Sequence, residues 1–414
     1  MPKQIKQKSA IMGLAVGIVF LALYFLIPSY FPTEYVGKDI ATPTVTLADV
    51  LPAEPQFRVT HIKTPDSVRA IYMTSWVAGT PSIRKRLVKL IEDTEINSII
   101  IDIKDDTGKI SFKVTDPFLK EIGAQEIRIR DVKEFIGDLH DSGVYVIGRI
   151  SAFQDPHLTK VRPGYAVLRE SNGEVWTDHK GISWVDPGNR EVWRYLVAIG
   201  KESYNVGFDE LNYDYVRFPS DGDMHDIKYP ISDATINADP DLGKAKVLRD
   251  FFAYIRRHLD STGAVISADL FGMTTSNNDD LNIGQILEYV LPHVDFVAPM
   301  VYPSHYPTNF IGLANPAEEP YKVIKFSMDE AKKKADALDL KLASSTPGYS
   351  VHSFGKIRPW LQDFDLGANY DAEKVRAQIQ AVYDSGLDSW MLWNASNRYT
   401  EDALLDNSDI ETVE

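Results

Sequence analysis

The chain has no cysteine at all. Thiol nucleophiles, disulfides and cysteine-ligated metals are thereby excluded, and an exported form would be stable through its core alone. Basic runs are also scarce. Beyond residue 8 no basic run exceeds three residues (84–86 and 332–334) and the net charge is −15, so no nucleic-acid partner, which would require a basic face, is expected. The nine histidines are scattered, with no H-x-H on the first strand and no H-E-x-x-H, the patterns that a metal hydrolase normally shows. No G-x-S-x-G follows a strand, which removes the usual Ser/His/Asp arrangement. No Gly-rich turn follows the first strand to cradle a nucleotide. Internal repeats and low-complexity blocks are missing too. Neither a metal nor a cofactor is expected.

What is present is a chain of 414 residues, 44% hydrophobic and 25% charged, enough to build a large core in one or two domains. Residues 1–31 begin with Lys3, Lys6 and Lys8 and continue into an apolar run from Ala10 to Ile27. That run is just long enough to span a bilayer, and no A-x-A cleavage motif follows it. The reading is an uncleaved signal anchor, with a cleaved signal peptide as the alternative. Lysines kept inside place the rest of a single-pass membrane protein outside the cytoplasm. Residues 32–66, broken by Pro32, Pro43, Pro52, Pro55 and Pro65, read as an extracytoplasmic linker. Residues 401–414 read as an acidic tail.

Between them, over 67–400, apolar β-branched runs alternate with stretches of helical spacing. The runs are 68–76, 96–103, 144–150, 207–219, 264–271, 295–302, 357–363 and 387–394. KLASSTP at 341–347 competes for the seventh place. The second run contains SIIIDI, the continuous apolar character of a parallel strand buried on both faces. Helices are expected from Pro81, with Ile83, Leu87, Leu90 and Ile91 on one face, over 132–141, over 189–204 and after each later run, with Gly386 as a C-cap. The stretch 151–186 reads as surface loops. Eight strand–helix units over about 330 residues define the expected fold class, an α/β (β/α)8 TIM barrel behind a transmembrane anchor and Pro-rich linker. A doubly wound sheet is the alternative.

The fourth run, GFDELNYDYVRFP, is the most informative. Alternation puts Phe208, Glu210, Asn212 and Asp214 on one face of an extended strand, and Pro219 sets its limit. A central strand carries so many polar groups only when something pairs with them or uses them. Asp209 and Glu210 read as structural, one facing a helix and the other paired deep in the barrel. In a barrel, the C-terminal strand ends open into one mouth. Collected there are Trp76, Asp102, Lys104, Arg149, Asn212, Asp214, Arg217, Asp269, Tyr302, Trp360, Gln362, Asp363, Trp393 and Asn394. Asp102 and Lys104 are the right types to pair with each other. An acidic mouth rimmed by aromatics suits glycoside hydrolysis, which needs one ionised and one protonated carboxyl and apolar faces for sugar rings. Trp184 is a further aromatic candidate. Asp221, Asp223 and Asp226 lack the EF-hand spacing and read as a solvated loop.

FDELNYDYVRFPSDG, with WVDPGNREVWRYLV upstream, IIIDIKDDTG on the second strand and RPWLQDF late in the chain, resembles a bacterial family of glycoside-hydrolase-like barrels, distantly like the α-amylase and α-galactosidase superfamilies. The resemblance runs from about Val68 to Asn397. It implies a (β/α)8 fold and a polysaccharide or oligosaccharide ligand. It also implies a nucleophile at Asp214, with Asp269 in the place of the α-amylase-like proton donor and Asp363 in that of its auxiliary aspartate. An aspartate standing where those enzymes carry glutamate is a departure. The α-galactosidase-like arrangement takes its acid from the sixth strand, where this chain has Tyr302 and no carboxylate. The rival from another class is a non-catalytic carbohydrate-binding or envelope scaffold protein on the same barrel.

Overall fold

The computed structural model describes residues 58–346, 350 and 352–407. The expected anchor run and most of the linker lie outside the described residues. Among those described, no helix is long and apolar enough to cross a membrane.

Eight parallel strands close into a barrel in sequence order. They are β1 (Arg69–Met73), β2 (Ser98–Lys104), β3 (Tyr145–Ser151), β4 (Glu210–Asp214), β5 (Val265–Phe271), β6 (Phe296–Met300), β7 (Trp360–Gln362) and β8 (Trp390–Trp393). The main outer helices are α1 (Pro81–Asp93), α2 (Val132–Asp141), α3 (Arg190–Val206), α4 (Gly243–Leu259), α5 (Leu287–Val290), α6 (Pro320–Ser345) and α7 (Ala372–Asp384). The (β/α)8 expectation therefore holds. Every residue of β2 and β3 is buried, as strands sandwiched between barrel interior and helices must be. α1 starts with Pro81 at its first turn and buries Leu87, Leu90 and Ile91. Ile83, expected on the same face, is 49% exposed, because that first turn precedes the helix's contact with the barrel. Gly386 takes φ +83 just beyond α7, a left-handed conformation that favours glycine.

Most strands are shorter than their apolar runs, and β7 and β4 show why. β7 spans three residues rather than 357–363, and Lys341–Ser345, the competing candidate, are the end of α6. Arg358 N still bonds to Val297 O, but Pro359 has no N–H to extend the ladder. The β6–β7 seam is left with the Met300–Trp360 pair and a Val297–Ile357 bridge. β4 ends at Asp214, well before Pro219. Tyr215 turns the chain with φ +51, a conformation costing a non-glycine residue about 1–2 kcal/mol.

Residues read as linker and tail are partly docked. Ile62 N donates to Asp209 Oδ1 (2.9 Å), Thr64 Oγ1 donates to Tyr145 Oη (3.0 Å), and His61 stacks on Tyr204 with centroids 3.9 Å apart. This strap crosses the N-terminal end of the barrel. At the other terminus Ala403 and Leu404 are buried, and Leu405 N donates to Glu95 Oε1. The 151–186 segment holds a short helix, Pro156–Val161, and several isolated β-bridges.

Candidate active site

Asp214 ends β4 and faces the barrel interior. Arg149 on β3 donates to its Oδ2 from Nε (3.0 Å) and Nη2 (2.5 Å), and to Asp102 Oδ1 on β2 from Nη1 (2.8 Å). Tyr215 N donates to Asp214 Oδ1 (2.6 Å). The Tyr72 hydroxyl on β1 completes the row by donating to Asp102 Oδ2 (2.5 Å). One buried guanidinium thus serves two carboxylates. Burial raises the Asp102 carboxyl above its ordinary value, with Arg149 and Tyr72 opposing the shift. Burial works against the charged form of Arg149 too, but the carboxylates of Asp214 and Asp102 outweigh it and hold its pKa above normal. Two donors from one guanidinium fix the orientation of the Asp214 carboxyl.

Asp269 on the adjacent β5 has the opposite surroundings. Its Oδ1 accepts from Asn212 Nδ2 (2.9 Å) and Trp360 Nε1 (2.8 Å). Its Oδ2 has no hydrogen-bond partner among the described residues. Burial first, and the Asp214 charge second, push the Asp269 carboxyl well above the usual carboxylate range, and the hydrogen bonds from Asn212 and Trp360 only partly offset this. The two neighbouring carboxyl groups therefore have different surroundings: Asp214 lies against a guanidinium, and Asp269 is buried among neutral donors that leave its pKa raised.

Both carboxyl groups line one cavity of about 460 Å³ at the C-terminal ends of the strands. Phe271, Met300, Tyr302, Tyr306, Trp360 and Trp393 supply much of its wall. Trp393 stacks on Tyr72 with centroids 4.1 Å apart and meets Trp360 edge-on at 5.5 Å. Arg217 is on the same wall, with the rings of Trp184, Phe271 and Tyr215 at 4.8, 5.0 and 5.4 Å from its guanidinium carbon. Burial raises the pKa of the Tyr302 hydroxyl and lowers that of His305, so both favour their neutral forms.

Of the residues expected at the mouth, Asp214, Asp269, Arg149, Arg217, Tyr302, Trp360 and Trp393 line this cavity, and Asn212 and Asp102 stand directly behind the two aspartates. The others are engaged elsewhere. The register of β2 against β3 slips between Asp102 and Lys104, so these two do not pair. Lys104 instead meets Asp155 (2.9 Å) and Ser151 O (2.5 Å) in a fully buried pair. Asp363 accepts from Thr400 N (2.9 Å) and Oγ1 (2.7 Å) rather than facing the cavity. Asn394 donates to Asp363 O and Arg398 O, so together they clamp the 394–400 loop. Gln362 accepts from Ser304 N (3.1 Å) and donates to Phe364 O (2.9 Å), bracing two neighbouring loops. Trp76 is 60% exposed and lies over Arg128 (4.5 Å), away from the cavity lining. Trp184 is buried, with Nε1 donating to Asp178. Asp226 is tied to Ser171.

Sequence reasoning had Arg149 among the strand-end residues but gave it no role, and it missed Tyr72. The available signal was a lone arginine inside the otherwise apolar run VYVIGRI. Asp209 and Glu210 behave as read. Asp209 meets His140 of α2 (2.9 Å), and Glu210 pairs with Arg358 (3.0 Å) and accepts from Tyr145 (3.1 Å) inside the barrel.

No curated protein matches the chain in sequence. Among solved structures, a hypothetical protein from Ruminiclostridium thermocellum ATCC 27405 is 35% identical, with 48% of this chain and 96% of that one aligned at a TM-score of 0.43. The PgaB (BpsB) glycoside hydrolase domain from Bordetella bronchiseptica is 17% identical, covering 79% of this chain and 94% of that one at a TM-score of 0.55, a likeness of fold. The α-galactosidase TtGalA from Thermus thermophilus is 13% identical, covering 86% and 62% at a TM-score of 0.46. Residues 70–399 match the family model described as "Putative glycosyl hydrolase domain", and the chain belongs to that family.

Proposed function

We propose that the protein is an O-glycosyl hydrolase acting on a cell-envelope or extracellular polysaccharide, held at the membrane by its N-terminal apolar run. One observation carries the catalytic reading. Asp214 ends β4, Asp269 lies two residues before the end of the adjacent β5, and both line one cavity, the first forked by Arg149 and the second buried with a raised pKa. In this reading Asp269 is the general acid. Asn212 and Trp360 pin its Oδ1, which leaves Oδ2 to give a proton to the glycosidic oxygen as the bond to the anomeric carbon breaks. Asp214 stabilises the positive charge that develops there and acts as the nucleophile. Water then cleaves the glycosyl–enzyme ester, and Asp269, now ionised, takes its proton. A carboxyl separation of about 5 Å fits this retaining course, and roughly 6.5–9.5 Å would make Asp214 the base of an inverting one. Asp363 assists by fixing the loop that follows Trp393. Trp360, Trp393 and Tyr302 offer faces to the sugar rings.

The test is reducing-end release from a panel of neutral, amino and acidic polysaccharides by the full chain. Asp214→Asn and Asp269→Asn are each expected to slow turnover by about 10²–10⁴-fold while glycan binding persists. A wild-type protein that binds a glycan without cleaving any member of the panel would instead be a binding module or envelope scaffold.

A further inference from the structure

Resting on that reading, we infer that the sugar bound beside the paired aspartates carries a carboxylate and that Arg217 is its receptor. The inference comes from the way Arg217 is built into the wall. Arg217 is 9% exposed and no carboxylate lies within ion-pairing distance among the described residues, unlike Arg149, which has two. Nη1 is spent on Phe218 O (3.1 Å) and Ser220 Oγ (3.0 Å). Nε and Nη2, the side-on edge of the guanidinium, donate to no described residue, nor are they sealed off from the cavity.

The surroundings make that edge selective. Trp184, Phe271 and Tyr215 lie within 5.4 Å of the guanidinium carbon, so apolar rings replace part of its solvation. Asp214 and Asp221 on the same wall act on this cation only at longer range, and a buried cation with no anion in contact is unfavourable. A planar carboxylate presenting two oxygens to Nε and Nη2 would supply the missing partner in bidentate geometry. Neutral hydroxyls would leave the charge unbalanced. The general acid needs no such anion, since Asp269 is held by Asn212 and Trp360. Arg217 is therefore available for specificity rather than for the bond-breaking step. The carboxyl group can belong to the ring, as in a uronate, or to a lactyl ether, as in muramate; both present the same two oxygens.

The experiment measures binding apart from turnover. Oligogalacturonate, hyaluronan oligosaccharides and N-acetylmuramate-containing oligosaccharides are titrated calorimetrically into the Asp269→Asn protein, each beside its carboxyl-reduced twin. At least one carboxylated probe is expected to bind about tenfold or more tightly than its twin, the scale of a charge-assisted hydrogen-bond pair. Which probe does so separates ring from lactyl carboxylate. Adding Arg217→Gln is expected to erase the preference. Arg217→Lys, which keeps the charge but not the fork, should reduce it severalfold, and it decides the matter if the Gln variant fails to fold. Equal affinity for every twin pair, no binding of any carboxylated probe, or a preference that survives at Arg217→Gln would overturn the inference. Carboxylate preference without hydrolysis by the wild type would sink the enzyme reading while leaving this one standing, and hydrolysis of neutral glycans alone would do the reverse.

Discussion

Arg149 aims two nitrogens at a single oxygen of Asp214, with Nε at 3.0 Å and Nη2 at 2.5 Å, while its third reaches Asp102. Removing one partner of a buried ion pair leaves the other charge uncompensated, at a cost of about 3–5 kcal/mol. Arg149→Met is therefore expected to lose about that much stability near neutral pH, read from denaturant melts. The loss should shrink in acid, where Asp102, with its raised pKa, takes up a proton. A variant as stable as the wild type at neutral pH would show that the guanidinium does not hold the two carboxylates together.

Asp269 sets a pH dependence of stability. Its carboxyl pKa is raised by burial and by Asp214. A folded pKa above the unfolded one means that the stabilising contribution is full below the ordinary carboxylate value and is lost as pH rises toward the folded value. Asp269→Asn keeps an oxygen for Asn212 and Trp360 but has no proton to lose. The variant should match the wild type at about pH 4 and gain on it by about pH 8. In turnover, the wild type's alkaline limb should lie above the usual carboxylate range. Thermal melts at the two pH values and a kcat/KM profile check both.

The strap at the barrel's N-terminal end depends on Asp209. Burial alone would raise its carboxyl, but hydrogen bonds from His140, His61 and Val146 N bring it below the ordinary value. This sign is the reverse of that at Asp269. The contribution is present above the ordinary carboxylate value and is lost as pH falls through the lower folded one. Asp209→Asn should expose residues 58–64 to proteolysis and faster amide exchange at neutral pH, with a loss of about 1–3 kcal/mol. Unchanged exchange at Ile62, whose N–H is bound to Asp209, would contradict this.

Lys104 tests the reassignment from substrate contact to structural pair. Lys104→Met leaves Asp155 buried beside an apolar chain. Denaturant melts should show a loss of about 3–5 kcal/mol, while the folded fraction keeps its KM for whichever glycan it cleaves. A large rise in KM with little loss of stability would return Lys104 to the site.

Much of the architecture is legible in the residues. SIIIDI and YVIGRIS announce strands buried on both sides, and both form buried strands of the barrel. Asp214 and Asp269 were readable because a carboxylate at the end of an apolar run has few reasons to be there. Lys104, Asp363, Gln362 and Asn394 sit at equally suitable places in the chain, yet their side chains serve neighbouring loops. The difference is not local. A register slip turns Lys104 toward Asp155, and Thr400 happens to fold back onto Asp363.

The order of apolar runs and helical spacings was enough to specify an eightfold barrel, because each period dictates which face is buried and each strand needs a helix to cover it. The contrast in surroundings between Asp214 and Asp269 was not available from the chain's order. It depends on Arg149, sixty-five positions away from Asp214, and on the burial of Asp269 by residues as distant as Trp360, ninety-one positions away. Charge and dielectric act over a few ångströms, and only barrel closure brings such distant residues that close.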